Sequence, residues 1–225
     1  MPGIFLLKTV KRFTRIIKAD PVFWGVLLTV FTISGISLSI FSAKQIFFSL
    51  NPIHTLYLDT FFQNYTLLGD GVFSMAIFLI LLLADKFSLA LQVLTAYLFS
   101  GIVSQIFKKA FHAPRPHTII SNAEYHHFIE GVTNTGMTSF PSGHTTSVFA
   151  LATILALNTT DKRFSIIYLV TAIITGYSRI YLGQHFLADV TAGALIGTLS
   201  GMLVYWYLRQ VKIEWVRVRK EPSVV

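Results

Sequence analysis

His185 and Asp189 stand four residues apart at the start of an apolar stretch, so on a helix they would share one face. A carboxylate so placed accepts the imidazole Nδ1–H, which fixes the tautomer and leaves the Nε2 lone pair free as a nucleophile. Asp189 falls inside a run of membrane-spanning length, where an ionisable group is costly and points to function. A purely structural His–Asp pair that steadies a helix accounts for the same two residues.

A second patch reads Pro141-Ser142-Gly143-His144 and opens another apolar run. Proline suits the first position of a helix. The residues after it offer unpaired backbone N–H groups, with no bulky side chain at Gly143, and such a helix start binds anions. His144 is placed to exchange a proton with whatever binds there. A third patch, Lys108 to Pro116, supplies Lys108 and Arg115, and Arg179 precedes His185 by six residues. Three cations beside a helix N-terminus and two histidines suit a phosphate dianion. Snorkelling accounts for any one of these cations, but not for their gathering with both histidine patches.

The elements that must position these groups follow from composition. The chain has 225 residues, 53% hydrophobic and only 12% charged, with a mean hydropathy of +0.64. A soluble domain carries about 25% charged residues, so this chain has too little polar surface to cover itself in water. Disorder, a soluble enzyme and a nucleic-acid module are excluded in favour of an all-α, polytopic membrane protein. Six spans are expected, near 22–41, up to Ala84, 87–107, 143–158, 164–181 and 186–208. The first is long for a signal peptide and is read as an uncleaved span. Residues 43–66 read as interfacial, broken at Asn51-Pro52, with Asp70 close under the surface at the head of the short uncharged stretch 71–84. Residues 1–20 form a basic segment, with an amphipathic helix over 4–18. Residues 21–209 form the membrane domain, and 210–225 a basic tail.

The net charge of +8 on its own suits nucleic acid. With six spans, thirteen of the eighteen Lys and Arg residues fall on the side of the termini. Only Lys44, Lys108, Lys109, Arg115 and Arg179 lie opposite. The positive-inside rule then puts both termini in the cytoplasm and the three patches outside. The charge excess is topological, and no nucleic-acid partner is expected. There is no cysteine, which excludes disulfides and thiolate metal sites.

The three patches resemble the tripartite signature of the type 2 phosphatidic acid phosphatase (PAP2) superfamily, KxxxxxxRP, PSGH and SRxxxxxHxxxD. Here it reads Lys108…Arg115-Pro116, Pro141-Ser142-Gly143-His144 and Ser178-Arg179…His185…Asp189, in order and at the right spacing over residues 108–189. The resemblance implies a helical core shared with haloperoxidases and a hydrolase acting on lipid phosphates. It implies that His185 attacks phosphorus, Asp189 orients it, and His144 protonates the leaving oxygen and then activates water. Lys108, Arg115, Arg179, Ser142 and the Gly143 N–H would hold the phosphoryl oxygens. No metal and no other cofactor is implied, because fixed cations neutralise the transition state.

Candidate substrates implied by the family are undecaprenyl pyrophosphate, phosphatidylglycerophosphate, phosphatidate and lipid A phosphates. The compact size resembles bacterial members, implying a plasma (inner) membrane location. A phosphotransferase using the same site, or a six-span anion carrier that needs no His185–Asp189 pair, are the alternative readings. No sequence feature speaks to oligomeric state.

His112 and His117 flank the first patch as rim or loop residues, and Glu124 and Glu130 share the following loop. His126-His127 are adjacent and lack a carboxylate at ligand spacing, which argues against a metal. His54 and Asp70 read as interfacial rather than catalytic.

Overall fold

A computed structural model describes residue 14 and residues 16–210. The expected amphipathic helix over 4–18 and the basic tail therefore lie largely outside the described residues. Helix α1 (Pro21–Ile40) starts at Asp20, whose carboxylate accepts the Phe23 N–H. It is followed by α2 (Ala43–Leu50), opened by a Ser42/Gln45 capping box, and α3 (Leu56–Tyr65), capped by Thr55. The stretch expected at the interface is thus two short helices. A 3₁₀ turn (Thr66–Gly69) leads to Asp70, whose extended backbone ends the run and whose side chain caps α4 (Gly71–Leu83). The chain bends by 55° at this break.

Helix α5 (Phe87–Phe111) ends at His112 in the left-handed region, and the single turn α6 (Pro116–Ile119) follows. Beyond a long loop come α7 (Gly143–Asn158), α8 (Lys162–Tyr181) and α9 (Leu187–Gln210). No strand occurs among the described residues. These bounds lie within a few residues of the sequence expectations.

Helix α7 is the centre, packed against α5, α8 and α9. It buries small and polar residues such as Thr145, Thr146, Ala150 and Thr153 beside Val148, Phe149, Leu151 and Ile154, while Leu28, Ile33, Leu98 and Ile102 of α1 and α5 are exposed. The exposed apolar surface of the outer helices sets this fold apart from a water-soluble bundle. Apolar side chains face lipid, and small residues let the helices approach. On α9, Gly193, Gly197 and Gly201 make one stripe against α7. A Cβ at Gly193 would lie 2.7 Å from the Ser142 carbonyl oxygen, and one at Gly201 2.9 Å from Thr153 Cβ. One at Gly197 would collide with the Thr146 carbonyl oxygen.

Among the described residues four helices are long and apolar enough to cross a membrane, or five if the bent α3–α4 pair is one span. The chain is a multi-pass membrane protein.

Candidate active site

The end of α8, the turn after it and the start of α9 carry the patch from Ser178 to Asp189. Leu182 N–H donates to the Ser178 carbonyl, and Gly183 then turns the chain at φ +64°. A side chain there would be strained, and its Cβ would lie 2.8 Å from the Phe128 ring. The N–H groups of Gln184 and His185 both donate to the Arg179 carbonyl, at 3.0 and 3.2 Å. Phe186 is the cap of α9. Its carbonyl accepts from Val190 N–H, and its N–H donates to Asp189 Oδ2 at 2.9 Å. His185 therefore lies just before the helix, not on it, which corrects the shared-helix-face expectation. Asp189 returns to its own helix start, as the third residue of a capping box does, and meets His185 there.

His185 Nδ1 is 3.4 Å from Asp189 Oδ2. Both residues are buried. Burial holds the His185 imidazole well below the usual histidine range, against the opposing effect of Asp189, so the ring is neutral at pH 7. Its Nε2 has no hydrogen-bond partner among the described residues. The Ser139 hydroxyl joins the pair, donating to Asp189 Oδ2 at 2.5 Å and lying 3.3 Å from His185 Nδ1.

The Pro141–His144 patch reaches Asp189 through its backbone, since Ser142 N–H donates to the Asp189 carbonyl at 3.0 Å. Ser142 is the buried cap of α7, and its Oγ accepts from Thr145 Oγ1 at 2.9 Å. A Cβ built at Gly143 meets nothing within 4 Å, so open space lies beside this helix start. The glycine stripe of α9 is what allows this proximity, because Gly193 lies directly under the Ser142 carbonyl.

The cations converge on the same end of the bundle. Lys108, in the last turn of α5, donates to the Thr138 carbonyl at 2.7 Å and interacts electrostatically with Arg115, Arg179 and Asp189. Arg115 Nη1 donates to both oxygens of Gln184, at 3.1 Å to the carbonyl and 2.9 Å to Oε1. Arg179 is buried; its Nη1 donates to Thr66 Oγ1 at 2.7 Å, and its Nε has no partner. His144 interacts electrostatically with Arg179, Asp70, Arg115 and Lys108. The eight expected site residues are thus brought to one end of the bundle, linked in turn by chain adjacency, hydrogen bonds or electrostatic interaction.

The structure adds further partners. Asp70, expected at the interface, places Oδ2 3.8 Å from His144 Nε2. Its carboxylate at the head of an apolar run was the available signal. Thr66 and Ser139 carried none, and Gln184 occupies a variable position of the third signature. His54 is built into a cluster instead. Its Nδ1 pairs with Asp59 Oδ1 at 3.1 Å, Tyr125 OH meets Nε2 at 2.6 Å, and Tyr181 OH donates to Asp59 at 2.6 Å. Burial holds the His54 imidazole below its usual range. With Phe47, Phe128 and Phe186, Tyr125 ties the interfacial helices and the 117–140 loop to the turn that carries His185. His117 stacks on Phe128, and His127 stacks on His54.

The chain is similar to known proteins along this region. The family model described as "PAP2 superfamily" matches residues 89–213. The Bacillus licheniformis bacitracin transport permease protein BcrC is 43% identical over 30% of this chain and 32% of its own length. The Porphyromonas gingivalis lipid A 4'-phosphatase is 28% identical over 77% of this chain and 75% of its own. Among solved structures, Aquifex aeolicus LpxE superposes with a TM-score of 0.66 at 28% identity, covering 75% of this chain and 98% of that one. The matched family region holds the whole constellation from Lys108 to Asp189, and the chain belongs to the PAP2 superfamily.

Proposed function

We propose that the chain is a phosphoric ester hydrolase that removes a terminal phosphate from a membrane lipid through a phosphohistidine. The observation that carries this reading is a buried, neutral His185 with Nδ1 toward Asp189 and Nε2 unengaged, at the end of the bundle that also holds three mutually interacting cations and His144. Nε2 attacks phosphorus and the P–O bond to the lipid breaks. His144 gives its proton to the departing oxygen, so the lipid leaves as an alcohol, or as a phosphate if the substrate is a pyrophosphate. The phosphorylated imidazole is cationic, and Asp189 balances it. Water then loses a proton to His144 and attacks phosphorus; the P–N bond breaks, releasing inorganic phosphate and neutral His185.

Lys108, Arg115 and Arg179 neutralise the equatorial oxygens, the role that fixed cations play in phosphoryl transfer. Arg179 Nε, buried without a partner, suits this assignment, because an unsatisfied buried donor is costly unless an anion meets it. The Gly143 N–H and the Ser142 hydroxyl proton complete the cradle.

The remaining parts of this reading concern placement and substrate. Six spans, with α4 and α7 among them, and the thirteen-to-five distribution of cations support cytoplasmic termini and a site on the extracytoplasmic face of a bacterial inner membrane. The relationship to the lipid A 4'-phosphatase, along three quarters of both chains, favours a lipid A phosphate among the candidates. Phosphate release by the purified protein in detergent and EDTA is the test. The panel is lipid A, undecaprenyl pyrophosphate, phosphatidylglycerophosphate and phosphatidate, with His185→Ala alongside. Release from lipid A that His185→Ala abolishes is expected. No release from any member by folded protein would favour an anion carrier, and activity restored only by a divalent metal would overturn the mechanism.

A further inference from the structure

We propose that Ser139 is a positioning residue for the nucleophile, acting through its hydroxyl as the bridge between His185 and Asp189. The inference rests on the phosphohistidine reading above and adds to it a residue outside the three signature patches. The direct Nδ1 to Oδ2 distance of 3.4 Å is longer than the 2.7–2.9 Å expected of a charge-assisted N–H···O bond. Ser139 Oγ fills that gap, 2.5 Å from the carboxylate and 3.3 Å from the ring nitrogen.

The donor count fixes the tautomer. A carboxylate has no proton to give, so the single hydroxyl proton of Ser139 is committed to Asp189. The Ser139 oxygen can then only accept from His185, which requires the ring proton on Nδ1 and leaves the lone pair on Nε2. When Nε2 takes the phosphoryl group the ring becomes cationic, and the same bridge carries the compensation from Asp189.

The hydroxyl is separable from the backbone that holds it. Ser139 N–H donates to the Ala113 carbonyl at 3.0 Å, and the adjoining Thr138 carbonyl accepts from Lys108. Asp189 keeps its bond from Phe186 N–H whatever stands at 139. Ser139 is fully buried, so no water replaces its hydroxyl without rearrangement.

The experiment compares Ser139→Ala, Ser139→Cys, Ser139→Thr and His185→Ala in detergent, reading kcat, KM, vanadate inhibition and the rate of phosphoenzyme formation. Ser139→Ala is expected to lower kcat and phosphoenzyme formation together by about 10- to 100-fold, the rate equivalent of one hydrogen bond to a charged group. KM and vanadate inhibition should stay near wild type, because no phosphate ligand is touched. Ser139→Thr should recover most of the loss, since it restores the hydroxyl. If Ser139→Ala does not fold, Ser139→Cys, close in size but a weak donor, decides by the same criteria. Wild-type kcat in the Ala or Cys variant, or a loss that Thr does not relieve and that KM shares, overturns the proposal. Activity in His185→Ala would instead overturn the nucleophile assignment itself.

Discussion

Asp70 faces His144 across 3.8 Å, Oδ2 to Nε2, although nothing in their spacing along the chain links them. The other carboxylate oxygen accepts the Val72 N–H at 2.8 Å, so the group that caps α4 is also aimed at the site. Gly69, just before it, lies against the same histidine, where an added Cβ would sit 2.9 Å from His144 Cβ. Lys108, Arg115 and Arg179 also act on His144, and Asp70 is the carboxylate that opposes them.

Asp70→Asn is therefore expected to slow hydrolysis of a lipid phosphate several-fold while sparing a nitrophenyl phosphate, whose leaving group needs little protonation. The effect is modest because the Asp70 side chain is 42% exposed and water screens the pair. Steady-state rates on both substrates decide it. Equal losses on the two would remove Asp70 from the acid step.

The two site histidines should separate kinetically. His185→Ala loses turnover and covalent phosphate on every substrate. His144→Ala loses about 100- to 10,000-fold on lipid esters, the usual worth of general acid–base help, and much less in phosphorylation by a nitrophenyl ester. Acid-labile phosphoenzyme should accumulate in His144→Ala, because activation of water is also lost. Trapping with radiolabelled substrate and acid quench measures this.

Helix approach is testable apart from chemistry. Gly197→Ala sets a methyl against the Thr146 carbonyl oxygen and 2.9 Å from the Ala150 nitrogen, both backbone atoms. A loss of about 1–3 kcal/mol is expected, as for other overpacked interiors, with activity falling as α9 moves away from α7. Gly101→Ala, on α5 with nothing within 4 Å, serves as the neutral or slightly stabilising control. Thermal unfolding in detergent compares them.

Burial of neutral His185 sets a pH dependence of stability. The unfolded chain takes up a proton near pH 6.5 that the folded ring refuses, so stability is lost as pH falls below that value. One such group contributes a slope of up to about 1.4 kcal/mol per pH unit, and His54 has the same sign. His185→Gln, which does not titrate, should show a shallower decline of the unfolding midpoint between about pH 7 and pH 5. An unchanged slope would mean that other groups dominate acid sensitivity.

The residues of the candidate site are legible in the sequence because the proposed chemistry demands particular types at particular spacings. Lys108, Arg115, Ser142, Gly143, His144, Arg179, His185 and Asp189 all stand out in the sequence as candidates for that reason. Helix bounds followed from hydropathy for the same reason, since lipid selects long apolar runs. Hydropathy was blind to burial. It marks 143–158 as an apolar run like the others, and only the structure makes α7 the sixteen-residue centre against which α5, α8 and α9 pack.

Local capping chose between two meanings of one spacing. A His and an Asp four apart fit a helix face and equally fit a residue before a helix start with a carboxylate folded back to it. The Phe186 N–H bond selects the second. Tertiary structure alone supplied Thr66 to Arg179, Gln184 to Arg115, Asp70 to His144 and Ser139 to the His185–Asp189 pair. These partners come from segments far apart in the chain. A hydrogen bond between such segments needs only a donor and an acceptor brought within about 3 Å, which any of several polar residues can satisfy, so it leaves no periodicity or motif to read.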